Sequence, residues 1–307
     1  MTITEIRTLP ARHAVTTTDH TATTDDHARL AITVHQPGEP DPSRPLVVLV
    51  HGWAASRTVW HATASQLAAA GHTVATYDQR GHASSTAGRE PIGIERLARD
   101  LDTVVGTLTT PERPVVVVGH SGGGYAALAW AAGLSAKGLS ATGPSAAKGG
   151  ASVKRLAGLV LVSTASHGQN TPANEVKMMG SKLFSRALGT PWLGRRLLGG
   201  THGPSATLAA REANRRLFAA TVPAVRAACF ASTQEMDQRA GLAGITAPTA
   251  VITGTEDKIV KPSFSQELAS ALPQAELHRI PGTGHMVPLE APQHVAHHVH
   301  LLVTAGR

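Results

Sequence analysis

Apolar positions recur along this chain with two alternating spacings. Leu46–Val50 and Val115–Val118 are unbroken apolar runs of strand length, and Ala28–His35, Thr73–Tyr77, Leu159–Val162, Thr249–Thr253 and Glu276–Ile280 also read as strands. Runs buried on both faces lose the alternation that a half-exposed strand keeps. Between them lie segments with helical spacing: Thr58–Ala70, stopped by Gly71, then amphipathic Ile94–Leu108, Tyr125–Ala132, Ser263–Leu272 and Pro292–Val303. Strands alternating with helices predict a parallel sheet covered on both faces. Two segments break the rhythm. Leu134–Lys154 is a Gly-, Ser- and Ala-rich stretch with little to pack, and predicts a surface loop. Ser166–Glu235 carries helical spacing (Val176, Met179, Leu183, Phe184, Ala187 and Leu188, then Leu217, Phe218, Val222, Val225 and Phe230) and no convincing strand. Pro223 should kink or end a helix there. The expected organisation is a body of residues 1–165 and 236–307 with a helical lid, 166–235, inserted after a sheet strand.

Composition narrows the class. With 42% hydrophobic and 16% charged residues, the 307-residue chain is too apolar for a disordered protein. Aromatics at 3% argue against a stacking platform for single strands, and no nucleic-acid-binding motif is present. The one cysteine, Cys229, excludes an internal disulfide and a cysteine-based metal site. The N-terminal stretch has no apolar run of signal-peptide length. Pro114–Ala136 is long and uncharged, but its glycine-rich interior suits a strand, turn and helix better than a membrane span. The expected location is cytoplasmic. Net charge is +7, and nine basic against three acidic residues in 166–235 supply an excess of +6. The surplus therefore sits on the proposed lid. It reads either as a solvated helical face or as an attraction to an anionic substrate or a weak association with an anionic lipid surface.

The chemistry clusters in short motifs. Gly119-His120-Ser121-Gly122-Gly123 matches G-x-S-x-G between a valine strand and an Ala-rich helix. A sharp strand-to-helix turn exposes such a serine in strained backbone angles, and needs small neighbours. A serine hydroxyl needs a base, and a histidine base needs a carboxylate. Asp257 follows one strand in Gly254-Thr255-Glu256-Asp257, with Glu256 as the alternative carboxylate. His285 follows the next strand in Gly282-Thr283-Gly284-His285. The order Ser, Asp, His suits a sheet that presents all three at one edge. His51-Gly52-Trp53 follows Val47–Val50, so the backbone N–H groups of Trp53 and Gly122 are candidate oxyanion donors. Met178, Met179, Leu183, Phe184 and Trp192 are candidate acyl-pocket residues, equally explained as lid core. His294, His297 and His298 have helical spacing but no accompanying carboxylate or cysteine cluster, so they are expected on a partly solvated helix face rather than around a metal. His82 reads as a turn residue beside Asp78 and Arg80.

His51-Gly52-Trp53, Asp78-Gln79-Arg80-Gly81-His82, the Ser121 pentapeptide, Gly254-Thr255-Glu256-Asp257 and Gly284-His285 occur in the order seen in α/β-hydrolases. From Arg29 to Val303 the chain resembles the lidded, single-domain α/β-hydrolases of the esterase and lipase type. The resemblance is weakest across the lid and absent in Leu134–Lys154. It implies a mostly parallel eight-stranded sheet flanked by helices, with a helical lid inserted after the sixth strand. It also implies a cofactor-independent hydrolase of small-molecule esters with Ser121 as nucleophile, Asp257 as acid and His285 as base. Acyl transfer, perhydrolysis, lactone opening and C–C hydrolysis use the same residues in such proteins, and a ligand-binding protein on this fold is the non-enzymatic alternative. Serine at the nucleophile position weighs against epoxide hydrolases and haloalkane dehalogenases, which use aspartate there. Two departures stand out. Ala83 replaces a glycine of the family, and His120 and Gly122 flank the serine where many relatives carry Met or Gln.

Overall fold

A computed structural model describes residues 9–139, 156–168, 172–234 and 236–305. Eight strands form one sheet: β1 (Val15–Thr23), β2 (Arg29–Pro37), β3 (Leu46–Val50), β4 (Val74–Tyr77), β5 (Val115–His120), β6 (Leu156–Val162), β7 (Thr249–Gly254) and β8 (Ala275–Ile280). Their order is β1-β2-β4-β3-β5-β6-β7-β8. The β1–β2 and β2–β4 pairs are antiparallel, and every other pair is parallel. Helices α1 (His61–Ala69), α2 (Ile94–Leu108), α3 (Gly122–Leu139), α9 (Pro262–Ala271), α10 (Val287–Glu290) and α11 (Pro292–Ala305) belong to the body.

The unbroken valine runs serve two cores at once, because successive side chains of a strand face opposite ways. Val48, Val50, Val115 and Val117 pack with Leu101, Val104 and Val105 of α2 and Leu128 of α3. Val47, Leu49, Val116 and Val118 pack with Leu67 of α1 and Val295, Val299 and Val303 of α11. Each such side chain contributes on the order of 1.5–3 kcal/mol on burial. The sheet is thereby fixed between two helix layers, and its C-terminal edge becomes a rigid platform.

Leu46–Val50 and Ile94–Leu108 match the sequence reading to the residue. The residue pattern missed β1. Seven of its nine positions before Ala22 are exposed Thr, Asp, His or Val, and Ala22 alone is buried. An edge strand wetted on both faces carries no alternation to find. The predicted surface loop at Leu134–Lys154 needs correction at its start: α3 continues through Leu139, carried on by Leu134, which is buried against the sheet core. Residues 140–154 lie outside the described residues.

Among the described residues five α-helices stand between β6 and β7: α4 (Ala173–Met179), α5 (Lys182–Gly189), α6 (Pro191–Leu197), α7 (Leu208–Ala220) and α8 (Pro223–Ala231). Their limits follow local chemistry. The Ser181 hydroxyl accepts the first free N–H groups of α5, and Thr207 does the same for α7. Pro191 and Pro223 open α6 and α8, where a missing N–H costs nothing. Among the described residues no helix is long and apolar enough to cross a membrane.

Candidate active site

Ser121 sits at the junction of β5 and α3 with φ of +50°. That left-handed conformation is costly for a residue with a side chain, of order 1–3 kcal/mol, and must be enforced by its surroundings. The Ser121 N–H donates to the Val162 carbonyl (2.9 Å), and the Ser121 carbonyl accepts from Gly124 N–H (2.8 Å) and from the Thr164 hydroxyl (2.9 Å). The glycines are sterically required. A Cβ on Gly119 would lie 2.6 Å from the Gly123 carbonyl oxygen, and one on Gly122 would lie 2.3 Å from the Trp53 indole nitrogen. The pentapeptide is thus a sequence for close backbone approach.

The structure brings Asp257 and His285 together. Both are buried, and the His285 Nδ1 lies 2.9 Å from Asp257 Oδ2. The other carboxylate oxygen of Asp257 accepts the N–H groups of Ile259 and Val260, each at 2.9 Å. Those bonds fix the carboxylate and leave one oxygen for the ring. Glu256, the alternative carboxylate, is exposed. With Nδ1 engaged, the reactive atom left to His285 is Nε2. The Ser121 turn meets the His285 loop through His120. The ring of His120, one residue before Ser121, lies 5.0 Å from the His285 ring, centroid to centroid, and its Nε2–H donates to the His285 carbonyl (2.9 Å). Among the described residues no hydrogen bond joins the Ser121 hydroxyl directly to the His285 ring. Resting structures often leave this bond open until substrate closes the site. Burial and the neighbouring His285 push the His120 pKa down to about 3, so His120 stays a neutral donor.

The loop after β3 carries the candidate oxyanion donor. His51 donates from Nδ1 to the Gly52 carbonyl (2.6 Å) and accepts the Gln79 N–H at Nε2 (2.9 Å). His82 donates to the Arg80 carbonyl (3.0 Å) and accepts the Ala54 N–H (3.2 Å). Burial lowers the pKa of both rings, which keeps them neutral and able to accept. His82 therefore braces the residue after Trp53, a role beyond the turn reading. Trp53 packs its ring against Tyr125 and Phe230, with centroids 5.5 Å apart in each case. Among the described residues the backbone N–H groups of Trp53 and Gly122 donate no hydrogen bond. Ala83, where a family glycine stands, has φ of +43°, the conformation that glycine adopts more cheaply.

Glu290 was not foreseen. Its Oε2 accepts the N–H groups of Gly203 (2.8 Å) and Gly284 (3.1 Å), and its Oε1 accepts that of Met286 (3.1 Å). One carboxylate thus grips both neighbours of His285. The Thr201 carbonyl accepts the N–H groups of His285 (3.0 Å) and Met286 (3.2 Å). Through Thr201 and Gly203 the inserted helices are stitched to the His285 loop. A carboxylate at the end of the helical turn after Gly284-His285 was the available signal.

The candidate pocket residues separate. Met179 and Phe184 are partly buried and pack with Leu188, Leu198, Phe218 and Phe230 against Ala54, beside Trp53. Met178, Leu183 and Trp192 are exposed. Met178 and Leu183 line an open groove whose other lining residues are Asn174, Lys177, Ser181, Phe184, Ala187 and Leu197. His298 stacks on His278 with centroids 3.8 Å apart, and burial and neighbouring imidazoles push its pKa down to about 3. Among the described residues no group of three or more His, Cys, Asp or Glu is arranged to hold a metal ion.

A family model described as the alpha/beta hydrolase family matches residues 47–297. A monoacylglycerol lipase of Mycolicibacterium smegmatis is 28% identical over 253 residues, covering 80% of this chain and 82% of that protein. Among solved structures, a thermophilic esterase from Thermogutta terrifontis matches with a TM-score of 0.70 and 24% identity, covering 93% of this chain and 97% of that one. An esterase from Rhodococcus sp. ECU1013 matches with a TM-score of 0.73 and 23% identity, covering 94% and 98%.

Proposed function

Because the chain belongs to the alpha/beta hydrolase family, we propose that it is a serine hydrolase that cleaves carboxylic esters of hydrophobic or amphiphilic molecules. One observation carries the reading: a serine held at φ of +50° on a strand-to-helix turn, beside a buried aspartate–histidine pair. The monoacylglycerol lipase relative supports an ester as the bond cleaved.

In this mechanism Ser121 Oγ attacks the ester carbonyl as its proton passes to His285 Nε2. Asp257, hydrogen-bonded to Nδ1, holds the ring in register and stabilises the imidazolium. The N–H groups of Trp53 and Gly122 receive the oxyanion of the tetrahedral intermediate. Each such donor is worth about 3 kcal/mol of barrier. The intermediate collapses as His285 returns its proton to the leaving alkoxide, which departs as the alcohol. Water then gives a proton to His285 and attacks the acyl-serine. Collapse of this second intermediate releases the acid and restores Ser121. His120 and Glu290 serve as positioning residues for the His285 loop, and neither touches the reacting atoms.

The helices of 166–235 act as a cap over the sheet's C-terminal edge, with residues 1–165 and 236–307 as the body. Met179, Phe184, Phe218 and Phe230 beside Trp53 make the cap's inner surface apolar, which suits an acyl chain. A cytoplasmic location belongs to the same reading, supported by a single buried thiol, Cys229. A panel of p-nitrophenyl esters of graded acyl length tests the proposal. Wild-type protein should turn them over and be labelled by a serine-directed phosphonate, and Ser121→Ala should do neither. Retained turnover or labelling in Ser121→Ala rejects it.

A further inference from the structure

Among the described residues nine large hydrophobic side chains are exposed, and six of them fall within 166–235. Four stand on just three consecutive helices, α4–α6: Met178 (42% exposed), Leu183 (75%), Trp192 (64%) and Leu197 (46%). Single exposed leucines need no explanation, but a cluster around one depression does. Met178, Leu183 and Leu197 line the same open groove of roughly 500 Å³, and Lys177 lines it with them.

Charge on these helices is one-sided. Lys177, Lys182, Arg186 and Arg196 are exposed, and none forms an ion pair among the described residues. Glu175 is the one acidic residue from 173 to 197. The other arginines of the inserted helices are already engaged. Glu212 receives Arg195, Arg215 and Arg216, while Arg211 and Arg226 donate to backbone carbonyls. The exposed set is also not the lining of a closed pocket. Met179 and Phe184 fill the inner side against Ala54, and the edge at Thr201 and Gly203 is fastened to the His285 loop.

We propose that the outer face of α4–α6 is a docking surface for an anionic lipid bilayer. A polyanion such as nucleic acid would satisfy the four cations and leave Leu183 and Trp192 in water. A neutral apolar partner would cover the side chains and strand the cations. An anionic bilayer takes both, with Lys and Arg at the headgroups and the apolar tips at the acyl boundary. Trp192, exposed at the start of α6, is a side chain of the type suited to the interface itself. The docking surface is separate from the proposed ester chemistry, so it does not require Ser121.

The test is co-flotation of the full chain with vesicles of phosphatidylcholine, with and without an equal part of phosphatidylglycerol. The anionic vesicles should bind about tenfold or more protein, with the difference shrinking in high salt. Leu183→Ser with Trp192→Ser should cut binding about tenfold. Lys182→Glu with Arg186→Glu should remove the preference for phosphatidylglycerol. Circular dichroism and the melting midpoint report whether each variant folds, and the charge-reversal pair decides if the serine pair does not. Ser121→Ala should bind like wild type, which separates this result from any failure of the esterase assay. Absent binding, or equal binding to both vesicle types, overturns the proposal. So does self-association in sedimentation that the same substitutions abolish, since a second copy would then be the occupant.

Discussion

Replacing Glu290 with Gln should slow the enzyme without weakening its hold on substrate. The side chain accepts three backbone N–H groups, from Gly203, Gly284 and Met286. Glutamine keeps the volume but offers one oxygen. If that oxygen keeps Gly203 and Gly284, the amide nitrogen faces the Met286 N–H, donor against donor. One charge-assisted bond is then lost, at about 1.5–3 kcal/mol. The two survivors become neutral bonds of roughly half their former strength. The Met286 N–H keeps the Thr201 carbonyl as a second acceptor, which holds the total to the low end of this sum, about 3 kcal/mol, enough to lower the melting midpoint by several degrees. His285 lies between Gly284 and Met286, so the loosened loop lets the ring wander. A misplacement of about 1 Å costs on the order of a hundredfold in rate. For a short soluble ester, kcat should fall about 10- to 100-fold with KM nearly unchanged. Phosphonate labelling of Ser121 should slow in parallel. A variant that melts lower but keeps wild-type kcat would reduce Glu290 to a purely structural brace. Wild-type values of both would refute the reasoning altogether.

Gly122→Ala places a Cβ 2.3 Å from the Trp53 indole nitrogen, so the ring and its loop must move. Ester turnover should fall at least about a hundredfold through displacement of the proposed oxyanion donors, and the melting midpoint measured alongside should show a folded protein. Arg80→Met leaves the carboxylates of Asp26 and Asp100 buried without the guanidinium that bonds both (2.6–3.0 Å), and should cost about 3–5 kcal/mol in urea unfolding. The same group controls acid stability. Arg80 holds the Asp26 carboxyl well below the usual carboxylate range. A depressed folded pKa means the contribution is complete above the unfolded pKa near 3.9 and fades as pH falls toward the folded value. Acid unfolding followed by circular dichroism should therefore begin at higher pH in Arg80→Met than in wild type, and coincident curves would count against the network.

Elements were legible where burial leaves a periodic signature. The Val115–Val118 run reads as a doubly covered strand, and the amphipathic spacing of Ile94–Leu108 matches α2 at both ends. β1 left no such trace, because its Thr, His and Asp side chains meet water and its pairing with β2 is made by backbone groups that any residue supplies. Leu134–Leu139 misled for a related reason. Its small residues give no periodic apolar signal, while Leu134 is buried against the sheet core.

The site divides in the same way. A motif is readable when its geometry is enforced by neighbours in sequence, and Ser121 is such a case: the glycines around it are demanded by contacts that they themselves permit. What holds the other partners in place comes from far along the chain. Thr201 reaches across to His285, His82 to Ala54, and Glu290 to Gly203, each through a backbone N–H or carbonyl. Backbone donors and acceptors carry no residue identity, so no side-chain pattern announces where they meet. The same reasoning explains the divided fate of the five apolar candidates between β6 and β7. Helical spacing showed that α4–α6 own apolar faces, but adjacent residues such as Met178 and Met179, or Leu183 and Phe184, point about 100° apart around the helix. Which of each pair turns inward is a matter of tertiary contact: Met179 and Phe184 pack on the cluster that includes Ala54 in the loop after β3.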